Sequence, residues 1–392
     1  MCKVFFKLLL SFSFVLFLSC TINDQKEFLL IFECNSNKSE LVTQVKEFEI
    51  NHPDHFESKL FLAEYYISIG DVDSAFDYLK RAEIVNKKAS RDHRDFNYSR
   101  LYGYLASIYV NRGEVSIAED YVNKAICYDK NQISGFEYLL GHIYVLKGEK
   151  DKALTIFNDI YSKRPDIATA SDLQTYMYLL AEAEDYQRCI EVINVYFGTG
   201  QWFGGLGSFS SSVFEKAGML QESLLCAFLE YEYYSSMTTP NNEKYLENIA
   251  NVEKLCRENG TIDTVLPVLS LIKNLYTGNE ILSDEVHENF ITKYLILRNK
   301  INAKKINEEE LGVLLSLESY FRVFPSYYWS VWESIKIIDG TQSKNYISVL
   351  KKVIALNPSS DLSVKARGEI KDIFGLSNSE STDLDLLLFN QF

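Results

Sequence analysis

Three stretches of this sequence hold residue types that could do chemistry. His52, Asp54 and His55 lie in one short segment, Asn-His-Pro-Asp-His, and two imidazoles beside a carboxylate are the raw material of a metal site. Two imidazoles on an irregular proline turn fall short of a full ligand set, so no metal is expected there. Residues Gly198 to Ser212 (GTGQWFGGLGSFSSS) are rich in glycine, and a glycine run before a helix can cradle phosphate. The Lys that should follow in a GK[ST] element is absent, and the run reads better as a flexible entry to the next helix, capped by Ser208 or Ser210. Trp202 and Phe203 beside those glycines would suit an exposed contact.

The thiols and carboxylates point the same way. Beyond Cys20, Cys34, Cys127, Cys189, Cys226 and Cys256 number five, an odd count spread over separate helices, so a disulfide framework is not expected. No CxxC pair marks a zinc or redox site. HExxH, GxSxG, Walker-type and dinucleotide-binding patterns are all missing, and the many acidic pairs fit solvated helix faces. No catalytic residue, cofactor or metal is expected. A net charge of −14 gives no electrostatic reason to bind nucleic acid.

The elements that would position any site are helices in pairs. Ser134–Pro165 reads as two antiparallel helices, with Gly141, Gly148 and Ala153 at their points of approach and Leu140, Tyr144 and Phe157 around them. Anchoring a frame on the turn residue gives Ser36, Gly70, Gly113, Gly148, Glu184 and Gly218, in steps of 34, 43, 35, 36 and 34. Ala63/Tyr66/Gly70/Ala75/Ala82 and Ala106/Tyr109/Gly113/Ala118/Ala125 repeat the same pattern. These residues and their period resemble the tetratricopeptide repeat (TPR). The resemblance implies an all-α, right-handed superhelical solenoid of antiparallel helix pairs, diverging toward the C-terminus, that binds partners and does no chemistry itself.

The pair at Asp24 to Asn51 is weaker. The step of 43 reflects extra residues near Asn86 to Asn97, and Glu184 and Cys189 replace the usual Gly and Ala of their unit. After Thr238–Asn242, helical segments are expected at about 242–258, 262–276, 284–302 and 306–323, with Pro325 and Pro358 as repeat closers. Trp329 and Trp332 belong to an aromatic stripe that reads as core. The expected organisation is residues 1–19 as a signal peptide, 20–235 as the solenoid, 236–378 as divergent helical repeats, and 379–392 as an acidic-apolar tail.

At the N-terminus, Lys3 and Lys7 precede or interrupt an apolar run that ends at Ser19-Cys20. This is the build of a secretory signal, too short for a spanning helix of about 20 residues. Phe17-Leu18-Ser19-Cys20 resembles the bacterial lipobox, with Phe17 in place of the usual Leu. That resemblance implies acylation of Cys20 and a membrane lipoprotein, periplasmic or surface-facing. Removal of two Lys with residues 1–19 takes the charge to −14 − 2 = −16.

The TPR frame implies a concave groove lined by the first helix of each pair: Leu60, Phe61, Glu64 and Ile67; Arg100, Tyr104, Ser107 and Asn111; Tyr138, Leu139, His142 and Leu146. Glu64, Ser107 and His142 stand where a carboxylate clamp needs Lys and Asn, so that clamp is not expected. Tyr and Phe offer large contact area at low entropy cost, which suits a peptide or an amphipathic helix. The sequence thus leads to an envelope scaffold that captures a protein segment, with lipid as its second partner. The alternative is a transport-accessory lipoprotein that holds a small ligand or couples to a substrate-binding protein.

Overall fold

The computed structural model describes residues 24–32, 38–88, 95–129, 135–235, 242–277, 289–340 and 347–374. Cys20 and the signal segment, Ser36, Cys34 and the tail at 379–392 lie outside them. Every regular element among the described residues is helical. The chain folds as two compact units, Met1–Ala168 and Thr169–Phe392.

The first unit contains α1 (24–32), α2 (Lys38–Asn51), α3 (Phe56–Ser68), α4 (Val72–Lys88), α5 (Asp95–Asn111), α6 (Val115–Tyr128), α7 (Phe136–Leu146) and α8 (Lys150–Lys163). The second contains α9 (Ala170–Glu182), α10 (Tyr186–Gly198), α11 (Leu206–Lys216), α12 (Leu220–Ser235), α13 (Asn242–Glu258) and α14 (Ile262–Thr277). It continues with α15 (Phe290–Asn302), α16 (Glu308–Ser316), α17 (Glu318–Phe321), α18 (Pro325–Asp339), α19 (Ile347–Leu356) and α20 (Asp361–Phe374).

One backbone device joins the pairs. Gly70, Gly113, Gly148 and Gly218 all take φ between 75° and 79°, the left-handed region in which a Cβ is penalised. At Gly70 the amide donates to Ile67 O and the next amide, of Asp71, reaches back to Tyr66 O. This pair of hydrogen bonds satisfies two of the last carbonyls of the helix. The same pattern recurs at Gly113, Gly148, Glu184 and Gly218. Glu184 therefore occupies the glycine position, at φ 59°, without glycine's freedom. Two further turns of this kind, at Gly260 and Lys304, join α13 to α14 and α15 to α16.

Packing within each pair follows the small residues. A Cβ on Gly141 would lie 2.6 Å from the Phe157 ring, so its absence lets α7 seat that ring, which is fully buried. Burying such a side chain stabilises by roughly 2–3 kcal/mol. Ala63, Ala75, Ala82, Ala106, Ala118, Ala125 and Ala153 are likewise closed to solvent. Polar contacts join neighbouring helices: buried Glu49 of α2 pairs with Lys59 of α3 at 2.9 Å and with Arg81 of α4. Trp332 lies in the core of the second unit, as its stripe predicted. Pro325, expected to close a repeat, instead opens α18, where its missing N–H costs nothing.

Candidate partner-binding face

Counting back from each turn residue places the first-helix side chains in one register. Nine, six and two residues before the turn stand Phe61, Glu64 and Ser68; Tyr104, Ser107 and Asn111; Leu139, His142 and Leu146. None of these is fully buried, and Leu146 is 57% exposed. The position ten residues before the turn is different. Leu60 and Tyr138 are each only 3% exposed, and both belong to the core. One residue along a helix is about 100° of rotation, which carries that position off the open face. Leu60 and Tyr138 therefore line no groove.

Across the face of the first unit the polar residues bond to one another. Arg100 of α5 bonds to Glu64 of α3, and Tyr104 joins both through its hydroxyl. Burial raises the Glu64 carboxyl above the ordinary range, against the opposing pull of Arg100. Ser107 Oγ donates to Gly103 O of its own helix at 3.1 Å. Phe61 meets the ring of Phe32 edge-on at 5.1 Å, so α1 covers that end of the face. His142 stands edge-on to Phe157 at 5.4 Å, and Asn111 is exposed.

In the second unit the same register converges on a cleft. Tyr178 and Glu182 of α9 face Phe209, Ser212 and Lys216 of α11 across a space of about 470 Å³, with Tyr186 at its edge. Tyr178 is 42% exposed and meets Phe209 edge-on at 4.7 Å. The Lys216 ammonium sits 5.5 Å from the centre of the Tyr186 ring. Tyr178 and Ser212 occupy the position of Glu64, Ser107 and His142, six residues before the turn. The signal for this cleft in the sequence is the frame carried through Glu184, which lacks the glycine that marks the other turns.

The stretches singled out for chemistry are engaged in structure. His52 stacks on Phe48 at 4.2 Å and lies 3.3 Å from Asp24. His55 accepts the Ser58 N–H at the start of α3 and bonds to Gln25 at 3.1 Å. Among the described residues no three His, Cys, Asp or Glu side chains are grouped to hold a metal ion. The glycine-rich run enters α11 through Gly205, φ 90°, and neither Ser208 nor Ser210 caps it, because both lie inside the helix. The buried Glu230 carboxylate of α12 caps it instead, accepting the N–H groups of Gly205 and Gly207 at 2.9 and 2.8 Å. The place an anionic ligand would occupy is filled by the chain itself. Trp202 is stacked on Tyr233 and meets Phe324 edge-on, at 5.3 and 5.1 Å, so it packs internally.

Cys127, Cys189, Cys226 and Cys256 are free thiols. Burial pushes the Cys189 thiol up to about 12, and its Sγ donates to Met177 O at 3.3 Å. No helix among the described residues is long and apolar enough to cross a membrane.

No family profile and no curated protein matches this chain. Among solved structures it is similar to the TPR domain of P58(IPK), at 12% identity and TM-score 0.25, over 89% of this chain and 99% of that one. It is also similar to a chain in the structure of Naa15/Naa10 bound to HypK-THB, at 11% identity and TM-score 0.22, over 88% of this chain and 66% of that one. Likenesses this distant bear on neither partner nor activity.

Proposed function

We propose that this chain is a non-catalytic scaffold that holds a segment of a protein partner against the first-helix faces of its repeats. One observation carries the reading. The same register positions hold the open side chains in successive pairs, and between α9 and α11 they enclose an aromatic cleft of about 470 Å³. Tyr178 and Phe209 supply a rigid apolar platform, while Glu182 and Lys216 at the rim fix the direction of a bound segment. Aromatic anchors in a cleft with a charged rim are the usual carriers of interface energy.

The lipobox resemblance at Phe17–Cys20 leads to an acylated Cys20 and a bacterial envelope lipoprotein, with α1 beginning only a few residues after the anchor. More than one acyl chain on that residue would hold the scaffold stably at a membrane. Two experiments separate binding from anchoring. Tyr178→Ala combined with Phe209→Ala should abolish partner co-purification with helicity unchanged, and retained capture would remove the cleft from the account. Cys20→Ala should release the protein from membranes and prevent incorporation of a labelled fatty acid; label retained on that variant would refute the anchor.

A further inference from the structure

In the first unit, residues of α6, α7 and α8, none of them at the register positions, line a cleft of about 360 Å³. Its floor is aliphatic: Ile126, Leu140, Ile156, Ile160 and Ile167. A volume of this size stands at the lower end of small-molecule sites, roughly 300–1,000 Å³. The charges around it are unequally matched. Lys163 pairs with Asp159 at 2.7 Å, and Arg164 pairs with Asp166 at 3.2 Å, so both cations on the rim already have carboxylate partners.

Glu137, in the first turn of α7, has none. Among the described residues no ion pair or hydrogen bond reaches it, and its Oε2 is shut off from solvent without a partner. An acceptor in that state costs folding free energy, which a donor brought by a ligand would recover. Carboxylate and aliphatic floor together define the complementary molecule: a compact body of saturated carbon bearing one cationic N–H donor. An anion is disfavoured, because among the described residues the unmatched charge lining the cleft is negative.

We infer that this cleft is a binding site for a small organic ammonium with a compact apolar body, seated on the isoleucine floor with its charge against Glu137. The site shares no lining residue with the face assigned to a protein partner and does not depend on that assignment.

Calorimetric titration of the full chain with cyclohexylmethylammonium, cyclohexylmethanol and cyclohexanecarboxylate tests the site. The ammonium should bind saturably and about tenfold more tightly than either analogue, the difference expected of one charge-assisted contact. Glu137→Gln should erase that preference while leaving the thermal midpoint unchanged or higher, since it removes an unpaired charge. Ile156→Trp, checked for native helicity by circular dichroism, should fill the cleft and weaken binding of all three. Absence of saturable ammonium binding, equal binding of ammonium and carboxylate, or a preference that survives Glu137→Gln would each overturn the site. If Ile156→Trp fails to fold, the Glu137→Gln comparison decides alone.

Discussion

Glu230 Oε2 accepts the backbone N–H of Gly207 at 2.8 Å, across 23 positions of sequence. With its other oxygen on the Gly205 N–H, this carboxylate gives α11 the N-terminal cap that its own serines do not. It also explains why a glycine-rich loop at a helix start is not an anion site here. Glu230→Ala should destabilise the chain by about 2–3 kcal/mol in urea unfolding, as two charge-assisted bonds are lost and buried amides orphaned. High acetate concentrations should recover part of that loss in the variant and have little effect on the wild type.

The same contact requires glycine at 207. A Cβ there would lie 2.6 Å from Cys226 O and 2.6 Å from the Glu230 Cβ, so α11 and α12 would have to part. Gly207→Ala should cost about 1–3 kcal/mol. Gly312, inside α16, has nothing within 4 Å of the equivalent Cβ. Gly312→Ala should stabilise by about 0.5–1 kcal/mol. Chemical unfolding of the two variants beside the wild type reads both signs.

Glu184 stands in the left-handed region at φ 59° where its counterparts are glycines. Glu184→Gly should gain about 0.5–1 kcal/mol, the strain relieved being partly offset by glycine's greater unfolded freedom. Gly148→Ala, the reverse exchange at the equivalent turn, should lose a similar amount. Thermal midpoints of the pair would check the relation, and a loss at Glu184→Gly would contradict it.

The thiols differ by environment. Cys127 is exposed, whereas Cys189 and Cys226 are buried and burial raises both thiols. In native protein a maleimide should label Cys127 quickly and reach Cys189 and Cys226 only in denaturant. The pH dependence follows from the raised Cys189 thiol. Unfolded it ionises near 9.0 and folded near about 12, so its protonated form favours the native state. That contribution is full below about pH 9 and is lost as pH rises toward about 12. Alkaline unfolding should therefore begin at lower denaturant as pH climbs through this window.

How much of this was legible in the sequence depends on the range of the interaction. The turns at Gly70, Gly113, Gly148, Glu184 and Gly218 were readable because local spacing and a left-handed backbone requirement coincide at one residue. At Gly260 and Lys304 the helical period marked the breaks, between the segments ending at 258 and 302 and those starting at 262 and 306, but not their place in the repeat frame, because the steps widen to 260 − 218 = 42 and 304 − 260 = 44 and the second lacks glycine. Caps supplied from a distance leave no local signature, which is why Ser208 and Ser210 looked suitable while Glu230 did the capping. For the partner face, the helix was readable but its rotation was uncertain by one residue. That single step sends Leu60 and Tyr138 into the core and leaves Phe61, Tyr104 and Leu139 at the face.

The central claim is that partners meet the first-helix register positions. A photo-crosslinking residue placed at Tyr178 or Leu146, with Ile84 of α4 as an exposed control (54%), tests it in the native membrane fraction. One protein species should be crosslinked from Tyr178 and Leu146 and none from Ile84. Crosslinking from Ile84 alone, or equally from all three positions, would contradict it.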